Sequence, residues 1–148
     1  MLVSIDSAEH LHGRPMRIVA QNRDVSDDLW FVTGLDAEKI AEIEKDRRVA
    51  VTLADGKRFL SVSGEAHAVV DPVKIESMWQ ESWRPWFPAG PKGGGIALIH
   101  VLPVHAEYWD QSFPTGLRFA FEAAKAWIAN ERIDEPDQPQ QHAKVRLA

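Results

Sequence analysis

The chain contains no cysteine, which excludes disulfide staples, thiolate catalysis and cysteine-ligated metal sites. It also lacks an excess of positive charge: 17 Lys and Arg stand against 22 Asp and Glu, for a formal net charge of −5. A nucleic-acid backbone requires a concentrated basic surface, so the charge argues against general nucleic-acid binding and any phosphate site is expected to be local. No window approaches the roughly 20 apolar residues of a membrane span. The opening MLVSIDSAEH has no basic segment followed by an apolar stretch, so no secretory signal is predicted. The expectation is a cytoplasmic protein without a membrane partner. No internal repeat, glycine-rich nucleotide fingerprint or nucleophile elbow is present, and the three glycines at 93–95 read as a flexible loop.

What is there is a globular composition, 45% hydrophobic and 26% charged in 148 residues, enough for one core. Residues 1–132 are assigned to one domain and 133–148 to a polar tail. Strands are predicted at 2–6, 14–21, 29–33, 49–54 and 58–70, with two more segments at 96–101 and 104–110 that Pro103 is expected to separate. HLHG at 10–13 reads as a turn, and Asp55-Gly56 as the two-residue turn of a hairpin. On the strand after it, Leu60, Val62, Gly64, Ala66, Ala68 and Val70 share a face, with Gly64 marking a bulge or close approach. Helices are predicted at 37–46, capped by Asp36, from Asp71-Pro72 onward, and at 117–130. Ile40 and Ile43 define the buried face of the first, while Glu38, Glu42 and Glu44 are placed elsewhere. The pattern is mainly β with peripheral helices, and an antiparallel barrel removes the exposed edges.

One place offers an anion site. The strand LWFVT ends in Thr33, passes Gly34 and enters a helix whose first turn carries Lys39. Helix N-termini present unpaired N–H groups and partial positive charge; Thr33 adds a hydroxyl and Lys39 a full charge. A capped surface helix with a solvated lysine explains the same residues. Among the six tryptophans, Trp30, Trp79 and Trp83 read as packing, whereas Trp86 in a Pro/Gly-flanked loop suits a lid or an interface anchor. The histidines show no metal-ligand spacing, and His10 or His12 is placed near any pocket.

The ordered set GRPM, LWFVT, AEKIAEIEKDRRVAVTLAD, FLSVSGEAHAVVDPVKIESMW, WFPAG, HAEYWD and the closing KVRL resembles the general stress protein branch of the pyridoxamine 5'-phosphate oxidase-like FMN-binding split barrels. The resemblance implies a six-stranded antiparallel split barrel that forms a homodimer with FMN between subunits. It implies flavin or phosphate contacts for Arg14 and Met16, with Arg17 as an alternative arginine, for the strand-end pair Val32 and Thr33, and for Lys39 as the phosphate lysine. Glu38 replaces a basic residue of the oxidases. Ser61 and Ser63 lie on a strand that can approach the ring, Trp86 is a lid candidate, and Trp109 resembles the tryptophan supplied by the partner subunit.

The oxidases carry an arginine and a histidine for substrate phosphate where this chain reads YWDQSFPTGLR, and Val19 or Asn22 stands where a lysine is expected. Vitamin B6 oxidation is therefore not expected, and no catalytic residue is named. The leading expectation is an FMN-binding stress-type flavoprotein that reduces a small acceptor with electrons from NADH or NADPH. A non-enzymatic flavin-binding or flavin-sequestering protein is the alternative, and a barrel holding haem or a deazaflavin is a third.

Overall fold

The strand-forming segments pair into one antiparallel sheet in a computed structural model, which describes residues 1–19, 28–110 and the strand 142–146. In chain order the strands are β1 (Leu2–Ile5), β2 (Leu11–Arg14), β3 (Leu29–Gly34), β4 (Arg48–Asp55), β5 (Arg58–Val69), β6 (Ile96–Asp110) and β7 (His142–Arg146). The helices among the described residues are α1 (Glu38–Lys45) and α2 (Pro72–Met78), with a single tight turn at Glu81–Trp83.

The sheet order is β2-β1-β4-β5-β6-β3, and β7 also pairs with β6. The first part of β6 faces β3 from Ile96 to Val101, and the later part faces β7 from His105 to Trp109. The segment Leu11–Val19 touches both edges of the curl. Its start pairs with β1; its end places Ile18 opposite Phe31, and Val19 N donates to Trp30 O at 2.8 Å. This is the expected mainly β architecture, a six-stranded antiparallel curled sheet with peripheral helices, to which β7 is added.

Curling brings the inward side chains together, and their burial provides the main stabilisation. Leu2, Phe31, Val51, Val62, Ile99 and Val101 are each at most 1% exposed, and Ile43 of α1 plugs the same core. A second apolar cluster lies where α2 and the following turn pack: Trp30, Ile75, Trp83, Ile96 and Leu98. Asp71 caps α2 through bonds from Val73 N and Lys74 N, as the Asp-Pro pair predicts. Among the described residues no helix is long and apolar enough to cross a membrane.

Several expected boundaries move. The strand expected at 14–21 does not run on through 15–19, since β2 ends at Arg14 and Pro15 has no N–H with which to extend the ladder; 20 and 21 lie outside the described residues. The turn expected at HLHG lies earlier: Asp6 Oδ1 accepts from Ala8 N and His10 N, Glu9 takes φ 66°, and LHGR is strand. Asp36 does not cap α1. The N-cap is Ala37, which makes no side-chain bond, because Ala37 N closes a turn onto Gly34 O. In the β4–β5 hairpin Asp55 pairs with Arg58, so the two loop residues are Gly56, at φ 61°, and Lys57. Trp79 and Trp83 lie beyond α2, which ends at Met78, and meet edge to face at 5.7 Å. Pro103 does not divide β6; a register shift beside Gly64 absorbs it. The helix expected at 117–130 lies outside the described residues. β7 falls within the stretch read as a polar tail.

Candidate functional site

The end of β3, the start of α1, the segment after β2 and the loop before β6 surround one cleft of about 1170 Å³. All the predicted site positions except Trp109 line it: Arg14, Met16, Arg17, Val32, Thr33, Lys39 and Trp86. Trp109 sits on β6 opposite Phe59, away from the cleft, and Ser61 and Ser63 do not line it either. The loop contributes Trp83, Phe87 and Pro88 beside Trp86, which is 74% exposed at the rim.

The polar part of the lining at Thr33 and Lys39 is built from local geometry. Thr33 is buried because β3 is covered on one side by β6 and its own register turns that hydroxyl toward α1. Lys39, six residues later, donates from Nζ to Thr33 Oγ1 at 2.9 Å. Burial lowers the Lys39 pKa, the charge of Arg14 lowers it further, and Glu42 and Glu38 oppose both. With Ala37 as N-cap, the first-turn N–H groups of α1 have no side-chain cap and are suited to an external acceptor. Gly34 leaves room for the Asp36 carboxylate, whose Oδ1 a Cβ there would meet at 2.9 Å.

The two candidate arginines differ. Arg14 donates from one terminal nitrogen to Ser4 Oγ at 2.8 Å and from the other to Glu42 Oε1 at 2.5 Å, and His12 Nδ1 lies 2.7 Å from the second. Arg17 is exposed in the cleft and makes no hydrogen bond or ion pair with another described residue.

Glu42 departs from expectation. Placed by periodicity on the solvated side of α1, it is 8% exposed and accepts from Ser4 Oγ at 2.6 Å as well as from Arg14. Helical spacing carried no signal for this, because the groups that hold Glu42 come from β1 and β2. Burial alone would raise its pKa; the bonds from Arg14 and Ser4 outweigh that and hold it at about 2, against 4.5 for a free carboxyl. A depressed folded-state pKa contributes stability above the unfolded value and loses it as the group protonates. The stability gap between wild type and Glu42→Gln is therefore expected to close as pH falls from about 4.5 to about 2. Denaturant melts at stepped pH check this, and a constant gap would refute it.

The family model for proteins described as pyridoxamine 5'-phosphate oxidase like matches residues 1–134. No curated protein matches the sequence. Similar solved structures include the general stress FMN/FAD binding protein from the phytopathogen Xanthomonas citri, at 26% identity over 76% of this chain and 80% of that one, with a TM-score of 0.66. A protein related to general stress protein 26 from Clostridium acetobutylicum shares the fold at 14% identity, covering 75% of this chain and 78% of that one, with a TM-score of 0.66. A pyridoxamine 5'-phosphate oxidase-related, FMN binding protein from Nostoc punctiforme does so at 11% identity over 99% and 86%, with a TM-score of 0.56.

Proposed function

Because the chain belongs to the pyridoxamine 5'-phosphate oxidase-like family, we propose that it is a flavin-binding protein of the general-stress type that takes FMN into this cleft. The observation that carries the reading is the cleft's mixed lining. Lys39, bonded to Thr33, lines it together with Arg17, which pairs with no other described residue, while Val32, Met16, Trp83, Phe87 and Trp86 supply apolar and aromatic surface. That donor set fits a phosphate ester joined to a flat ring. The cleft, at about 1170 Å³, is of a size that admits a flat multi-ring ligand.

Lys39 and Arg17 would hold the phosphate as charged donors, with Thr33 fixing the ammonium. Arg17 is favoured over Arg14 because the Arg14 guanidinium is already engaged by Glu42 and Ser4. Bound FMN would supply hydride and single-electron transfer at its ring; the protein decides what approaches it. Trp86, exposed at the rim, is read as a lid or as an anchor for a second copy. Trp109, remote from its own cleft, is read as reaching the partner's flavin in a homodimer. A nicotinamide donor and a small acceptor complete the oxidoreductase reading in a cytoplasmic setting.

The purified protein is expected to be yellow, to release a cofactor of FMN mass, and to lose its flavin absorbance when mixed with NADH or NADPH. A colourless protein that ignores added FMN would end the FMN reading, and a Soret band would replace it with haem. Retention of FMN without reduction by either nicotinamide would leave a flavin-binding protein that is not a reductase.

A further inference from the structure

Glu42 stands behind the cleft, and Ser4 and Arg14 converge on it from β1 and β2. Both members of the ion pair are shielded, with side chains 15% exposed for Arg14 and 8% for Glu42. Arg14 nevertheless lines the cleft. A guanidinium matched at contact distance by a buried carboxylate has little charge left for a ligand. The same guanidinium without its partner would be a half-buried, uncompensated cation, which is unfavourable. We propose that Glu42 sets the affinity of the anion site: by neutralising Arg14 it confines direct phosphate recognition to Lys39, Thr33 and Arg17, and keeps a bound phosphate monoester exchangeable. The proposal rests on the assignment of this cleft to a phosphate ester.

Two consequences run in opposite directions. Glu42→Gln keeps the shape and an acceptor oxygen for Arg14 or Ser4 but removes the charge. The empty folded protein loses stability, because Arg14 is left uncompensated. A phosphate in the cleft then relieves that strain, so by linkage the variant binds phosphate more tightly than wild type does. A merely structural Glu42 would lower both stability and affinity.

The test uses the full chain, wild type and Glu42→Gln, titrated with FMN, riboflavin and inorganic phosphate, with melting temperatures recorded in each. The variant is expected to melt lower when empty, to bind FMN about tenfold tighter, and to bind riboflavin within about twofold of wild type, a tenfold gain corresponding to ~1.4 kcal/mol. Unchanged or weaker FMN binding with riboflavin unaffected overturns the proposal. If wild type binds no FMN, the proposed function fails, and inorganic phosphate then decides the inference alone. A larger phosphate-induced rise in melting temperature for the variant supports it, and an equal or smaller rise overturns it. Should Glu42→Gln fail to fold, the double change Arg14→Met/Glu42→Gln removes the pair together, which proteins tolerate better than removing one member. Phosphate affinity within about threefold of wild type then supports a self-compensated pair. Any greater loss shows that Arg14 holds the phosphate itself and overturns the proposal.

Discussion

Lys39→Ala is expected to weaken FMN binding by about 10- to 100-fold while leaving riboflavin within about twofold of wild type. The two ligands differ only in the phosphate, so damage shared by both cancels in their ratio. A hydrogen bond to a charged group is worth ~1.5–3 kcal/mol, and each ~1.4 kcal/mol is a factor of ten. The Lys39 ammonium is held by Thr33 at 2.9 Å, so little ordering remains to be done when a ligand arrives. Its environment also sets a pH dependence. Burial, aided by Arg14, lowers the pKa of Lys39 below the ordinary 10.5, so as pH rises the FMN advantage is expected to fade earlier than it would for a fully solvated lysine. The variant should show no such fading. Calorimetric or fluorescence titration with both ligands measures the ratio, and equal losses for FMN and riboflavin would remove Lys39 from the phosphate role.

The parts of this site differ in how plainly residue pattern displayed them. The strand-to-helix passage from Thr33 to Lys39 is contiguous, and its elements follow from local rules: β-branched and aromatic residues in LWFVT, then Ile40 and Ile43 at helical spacing. Its bonding could be anticipated because only six residues separate donor and acceptor. The hairpin at Gly56 and the cap at Asp71 were legible for the same reason. The Ser4–Arg14–Glu42 cluster was not. Its members come from β1, β2 and α1, and 38 positions separate Ser4 from Glu42. Nothing in the periodicity of a short helix distinguishes a glutamate facing water from one facing a half-buried arginine. The opposite wall, from Ser82 to Gly95, also depends on tertiary packing: Trp83 is buried while Trp86, three residues on, is exposed. The residues that whole-chain resemblance singled out line one cleft apart from Trp109, and packing decided that Arg14 is the arginine engaged by Glu42.

The largest stability effect is expected at Gly64, where the curl of the sheet depends on the absence of a side chain. A Cβ at this position would lie 2.1 Å from Leu102 O, 3.0 Å from Leu102 C and 3.1 Å from the Pro103 Cα. All three are backbone atoms of the paired strand, so no side chain can swing aside. The register shifts at this point: Ser63 faces His105 while Gly64 faces Pro103. The bulge lets β6 run on past a residue that cannot donate to the ladder. Retreat of β6 would also disturb Val62 and Ala66, the neighbouring inward residues, which are 1% and 0% exposed. Gly64→Ala is therefore expected to cost roughly 3 kcal/mol or more, at the upper end of overpacking effects, and to lower the melting temperature by about 10 °C. Gly56→Ala provides the contrast. Gly56 has φ 61° and nothing within 4 Å of its added Cβ, so only the left-handed backbone is penalised, at ~1–2 kcal/mol. Thermal and denaturant melts of both variants separate a steric clash from a conformational preference; a Gly64→Ala protein as stable as Gly56→Ala would show that β6 yields without loss. Because β6 also carries β3, and β3 carries Thr33, any flavin affinity lost in Gly64→Ala should follow the folded fraction and leave the FMN-to-riboflavin ratio unchanged, the reverse of the Lys39→Ala result.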